Sequence, residues 1–97
     1  MIETYAEGLR VTGPMLIANA SALLDAGRGF LRATTAGATL ALDLSAVEKT
    51  DSAALSVIFG LLRTAHESGI TLRVAHPPTS MISLAALYGV SDFLSLA

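Results

Sequence analysis

Hydrophobic residues along this chain change their period several times, and each change marks an element. Over residues 9–12, Leu9 and Val11 alternate with Arg10 and Thr12, the period of a half-buried strand. Ile2–Tyr5 reads as a short edge strand before it, with Ala6, Glu7 and Gly8 as the turn. Gly13 and Pro14 punctuate the end of this pair. After Asn19 and Ser21, either of which suits a helix cap, the period becomes helical. Ala20, Leu23, Leu24, Gly27, Phe30 and Leu31 then share one face. Residues 34–37 read as loop. Residues 39–45 are short and largely apolar, which predicts a strand covered on both faces.

A second helical period follows a connection of ordinary length. Asp51 and Ser52 offer its cap, and Gly69 stops it just beyond Glu67 and Ser68. Residues 70–76 alternate again, with Ile70, Leu72 and Val74 against Thr71, Arg73 and Ala75, until Pro77 and Pro78 break the strand. Thr79 or Ser80 then caps a third helix that runs through Tyr88 to Gly89, and Ser91 caps one further turn over residues 90–96. The order is β-β-α-β-α-β-α. A hairpin followed by alternating strands and helices predicts an α/β fold, with helices packed on a single mixed sheet of four to five strands. No linker, repeat or charge block divides the chain, so one domain over residues 1–97 is expected.

Composition narrows the function. Charged residues make up 14% of the 97 residues, against about 25% in an ordinary globular domain. Alanine accounts for 17 of the apolar residues and can sit exposed at little cost, but a permanent partner covering apolar surface would leave the same signature. The net charge of −2, with scattered basic residues, argues against nucleic acid. The sequence opens without a signal peptide, and its longest mostly apolar run, residues 53–62, is about half of a membrane span. With no cysteine, a reducing cytoplasmic setting is expected.

Candidate chemistry is sparse. No Gly-rich phosphate loop and no Gly-x-Ser-x-Gly elbow occurs. His66 and His76 lie on different elements without a second ligand at metal spacing, so no metal or cofactor is expected. Asp43 and Asp51 could form a carboxylate pair, but a cap role for Asp51 and loop hydrogen bonds for Asp43 are the stronger reading. The second helix is more informative. Leu55, Ile58, Phe59, Leu61, Leu62, Ala54 and Ala65 fill a broad core face. Ser52, Ser56, Gly60, Arg63 and Glu67 fall opposite, with small residues at i, i+4 and i+8. A solvated strip usually carries long charged residues, and glycine costs about 1 kcal/mol there, so this strip is expected to be covered by a partner. Ala53 and Val57 flank it.

The run Leu42-Asp43-Leu44-Ser45, then Val47, then Thr50-Asp51-Ser52-Ala53-Ala54-Leu55, resembles the signature of STAS domains, the fold of anti-sigma factor antagonists. Leu84-Ala85-Ala86-Leu87-Tyr88-Gly89-Val90 is similar to the last helix of the small STAS subunit of Mla-type phospholipid transporters. The resemblance implies a non-catalytic cytoplasmic subunit, held at the inner membrane by its partner. That partner would be the ATPase of an ABC transporter, assembled with its permease, in a system that maintains outer-membrane lipid asymmetry. Its partner-binding residues would be Asp51, Ser52, Ala53, Ser56, Gly60 and Arg63. The alternative is a partner-switching regulator of transcription. Such antagonists resemble Asp-Ser-Ser-Gly here, with the second serine phosphorylated; that position is Ala53, which has no hydroxyl. The switch therefore does not carry over, and Ser52 is the sole alternative acceptor in the motif.

Overall fold

A computed structural model describes residues 1–91. The strands are β1 (Ile2–Tyr5), β2 (Gly8–Val11), β3 (Thr39–Asp43) and β4 (Thr71–Ala75). A 3-10 turn, Ile17–Asn19, leads into α1 (Ala20–Ala33), and α2 (Ser52–Glu67) and α3 (Thr79–Leu87) complete the order anticipated above. The strands lie in sequence order in one mixed sheet. β1 and β2 are antiparallel, with Glu3 opposite Arg10. β2–β3 and β3–β4 are parallel, with Leu9 opposite Leu42 and Leu42 opposite Val74. The further tail turn expected over residues 90–96 falls largely on residues 92–97, outside the described residues.

Strand order explains why the helices gather on one side. From β2 to β3 to β4 the sheet advances in a single direction, and right-handed crossovers then place α1 and α2 on the same face. Leu9, Val11, Leu42, Leu72 and Val74 point into that face. They pack against Leu23 and Leu31 of α1, Leu55, Ile58 and Leu61 of α2, and Met81 and Ala85 of α3. The opposite face stays open. This corrects the expectation for residues 39–45: Thr39 is exposed and Ala41 half-buried, so β3 is covered fully on one face only. β3 also ends at Asp43, because the Asp43 side chain accepts the Ser45 N–H at 2.8 Å and turns the chain. β4 ends at Ala75, since His76 adopts a left-handed φ of 54° before the two prolines.

Two expected caps differ. Asn19 stands at the start of α1, but its side chain accepts from the Leu16 N–H at 2.9 Å and donates to the Pro14 carbonyl, holding the 3-10 turn instead. α3 starts from Pro78 without a side-chain cap, while the Ser80 hydroxyl meets that of Thr50 at 2.7 Å.

Three glycines set close approaches. A Cβ at Gly8 would lie 2.2 Å from the Ala41 carbonyl oxygen, where β2 meets β3. A Cβ at Gly27 would lie 2.5 Å from Leu61, and one at Gly60 2.7 Å from Leu24, so α1 and α2 each notch around the other's leucine. No helix among the described residues is long and apolar enough to cross a membrane.

Gly8→Ala should be among the costliest single changes in the sheet. The neighbour at Gly8 is backbone and its φ of 153° is one that side chains rarely adopt. A loss of about 2–4 kcal/mol in chemical unfolding is expected, and a variant as stable as the parent would contradict this packing.

Candidate functional site

The Asp51 carboxylate organises the candidate surface. One oxygen accepts the Ala53 N–H at 2.9 Å and caps α2, as the sequence suggests. The other accepts the Ile17 N–H at 3.0 Å and ties the 3-10 turn to the start of α2. A parallel bridge between Met15 and Thr50 reinforces that tie. The result is an apolar groove of about 700 Å³, with Ile17 and Ala20 on one wall and Tyr88 and Val90 on the other. Its floor is α2, with Ser52, Ala53, Leu55, Ser56 and Phe59.

The exposed strip of α2 differs from the expected one at two positions. Ser52, Ser56, Arg63 and Glu67 are exposed, as predicted. Gly60 is not: it is buried against Leu24 and leaves the candidate surface. At about 100° per residue Gly60 sits roughly 80° around the helix from Ser52, which is far enough to fall under α1. Val57, expected to flank the strip, is buried as well, at 2% exposure. Phe59, expected in the core, is only half-buried and forms part of the groove. The surface strip is therefore Ser52, Ser56, Phe59 and Arg63, at i, i+4, i+7 and i+11. Composition and spacing missed the 3-10 turn and the Tyr88–Val90 wall. The exposure of Ile17 and Tyr88 depends on where neighbouring elements dock, and no local pattern encodes that.

Asp43 and Asp51 do not act as a carboxylate pair. Asp51 is engaged as above, whereas Asp43 lies on the open face of the sheet, where Arg10 Nε donates to it at 3.0 Å. Arg10 also approaches Glu3 at 3.5 Å and stacks over the Tyr5 ring at 4.4 Å. Burial pushes the Asp43 carboxyl up, but hydrogen bonds from Ser45 and Arg10 outweigh it and hold the group below its ordinary value. This cluster ties β1, β2 and β3 together across the solvent side, and no substrate-sized cavity adjoins it among the pockets described.

Comparison with known proteins fits this geometry. Residues 3–96 match the family model described as Mlab, STAS domain. The intermembrane phospholipid transport system binding protein MlaB of Haemophilus influenzae is 33% identical over 67 residues, covering 68% of this chain and 64% of that protein. The chain thus spans slightly less than two thirds of that relative's length. Among solved structures, a candidate anti-sigma factor antagonist of Thermotoga maritima superposes with a TM-score of 0.71 at 18% identity, over 99% of this chain and 83% of its own. The anti-sigma factor antagonist SpoIIAA in its unphosphorylated form gives 0.67 at 14% identity, over 100% and 86%. At these identities the likeness to the antagonists is one of fold.

Two outcomes follow. Asp43 has a folded pKa below its unfolded one, so its contribution is complete above the unfolded value and lost as pH falls through the folded one. Asp43→Asn keeps an acceptor for Ser45 but removes the charge. It should cost about 1–2 kcal/mol at neutral pH and flatten the acid limb of the stability profile. An unchanged acid limb in pH-dependent thermal unfolding would contradict this. Gly60→Arg should destabilise by about 1–3 kcal/mol, because its side chain must enter the α1–α2 contact. Unfolding at the parental denaturant midpoint would place Gly60 on the surface after all.

Proposed function

The chain belongs to the Mlab STAS domain family, and we propose that it is a non-catalytic subunit of an ABC-type phospholipid transport system. In this reading it works by docking on the transporter's ATPase. It resides in the cytoplasm, is held at the inner membrane by that partner and its permease, and serves outer-membrane lipid asymmetry. The observation that carries the reading is the exposed strip of α2. Ser52 and Ser56 are short and exposed, and they open directly onto an apolar groove. A partner backbone can come close where no long side chain stands. Asp51 holds the end of the strip in shape, Ala53 adds apolar contact and Arg63 offers a charge at the far end. The transport relative among curated proteins agrees with this assignment.

The antagonist fold of the structural neighbours favours a second reading, a partner-switching regulator of transcription. It would use the same face of α2. Ala53 weighs against it, because the position of the switching serine has no hydroxyl to accept phosphate.

Ser56→Arg separates binding from folding. The position is exposed, so stability should stay within about 0.5 kcal/mol of the parent. Binding should fall by about 2 kcal/mol or more, because the arginine fills the space a partner backbone needs. Co-expression with the system's ATPase subunit, followed by co-purification, reads the outcome. Full retention of the ATPase by Ser56→Arg would remove α2 as the docking helix. Co-purification with an anti-sigma factor instead would favour the second reading.

A further inference from the structure

Residues 74–91 contain no Asp, Glu, Lys or Arg. α3 lies in the middle of this stretch, yet among its residues only Met81 and Ala85 are fully buried. Leu87 is 76% exposed and Tyr88 57%. Helices that face water normally carry charge on that side, so an uncharged and incompletely buried helix has a face suited to a partner. At about 100° per residue, Leu84, Leu87 and Tyr88 share one flank of α3, and Ile82 with Ala86 lies on the other. Tyr88 lines the groove on α2, so the first flank is continuous with the docking strip. Ile17, 77% exposed, faces it across the groove.

Charge decides what fits. Asp51 is the charged residue in the lining, and both its carboxylate oxygens already accept backbone N–H groups. A partner charge placed in this groove would be desolvated without a counter-ion. The apolar walls match apolar side chains, and the Ser52 and Ser56 hydroxyls match backbone polar groups. A lipid surface fits less well, since the stretch offers no lysine or arginine to anionic headgroups. We propose that the groove between the 3-10 turn, α2 and α3 seats an uncharged, apolar segment of the transport ATPase, with Leu84, Leu87 and Tyr88 as its second wall. The proposal rests on the reading of α2 as the docking helix.

The test uses the full chain and the co-expressed ATPase subunit, with affinity measured by interferometry. Leu87→Lys and Tyr88→Lys should each weaken binding about 30-fold or more, the loss expected of a hot-spot residue. Ile82→Lys, on the other flank, should bind as the parent does. All three should unfold within about 4 °C of the parent. If both groove variants hold the ATPase while Ser56→Arg loses it, the α3 wall is overturned and the α2 reading stands. Equal loss with Ile82→Lys would also overturn the assignment of this flank. A parent chain that does not bind the ATPase overturns both readings. Light scattering that shows a parental dimer made monomeric by Leu87→Lys would assign the groove to a second copy. Flotation of the parent with anionic vesicles, abolished by Leu87→Lys, would assign it to lipid, and either result overturns the proposal.

Discussion

The handedness of two crossovers governs this molecule. Because β2, β3 and β4 follow one another in a single direction, right-handed connections leave the helices no choice of face. One side of the sheet receives the core, and the other is left to Arg10, Asp43, Glu3 and the exposed strand residues. The same constraint places α2 between α1 and α3. A helix flanked on both sides and seated on a sheet has only a narrow strip left for anything else. In this chain that strip holds short residues, so the one surface of α2 that remains outside is also the one another chain can approach most closely.

The strip is kept in shape by an economy of groups. A single carboxylate, Asp51, both starts α2 and fixes the 3-10 turn that walls the groove. On the far side, the reciprocal notches at Gly27 and Gly60 let α1 lie close without a side chain between the helices. Substitutions on the inner sides of α2 therefore report on folding, and those on its outer strip report on association. Arg63 and Glu67 extend the outer strip toward the end of the helix.

Much of the fold was legible in the sequence because period and punctuation are local. Alternation over β2 and β4, the helical faces of α1 and α2, and the glycine stops gave the element order and the mixed sheet. Features that depend on how elements meet were not legible. Gly60 shares a side with Ser52 and Ser56 when α2 is considered alone, and only the docking of α1 shows it to be a packing notch. A signal was present in Gly27, a glycine in the middle of a predicted core face that pointed to a close helix contact. Phe59 shows the reverse error, since its side of α2 is closed by α3 only in part. The apolar character of residues 39–45 suggested two covered faces, but apolarity does not distinguish burial under a helix from burial beneath a neighbouring arginine.

The placement of the two tyrosines gives the molecule a built-in optical reporter. The chain has no tryptophan, so Tyr5 and Tyr88 dominate its near-ultraviolet absorption and emission. One is stacked against Arg10 on the open face of the sheet and the other lines the groove on the helical face. A Tyr5→Phe chain would leave Tyr88 as the sole emitter, reading groove occupancy directly and without a label. A Tyr88→Phe chain would instead watch the polar cluster on the opposite side. The two faces can thus be followed separately by fluorescence in a single mixture of subunits.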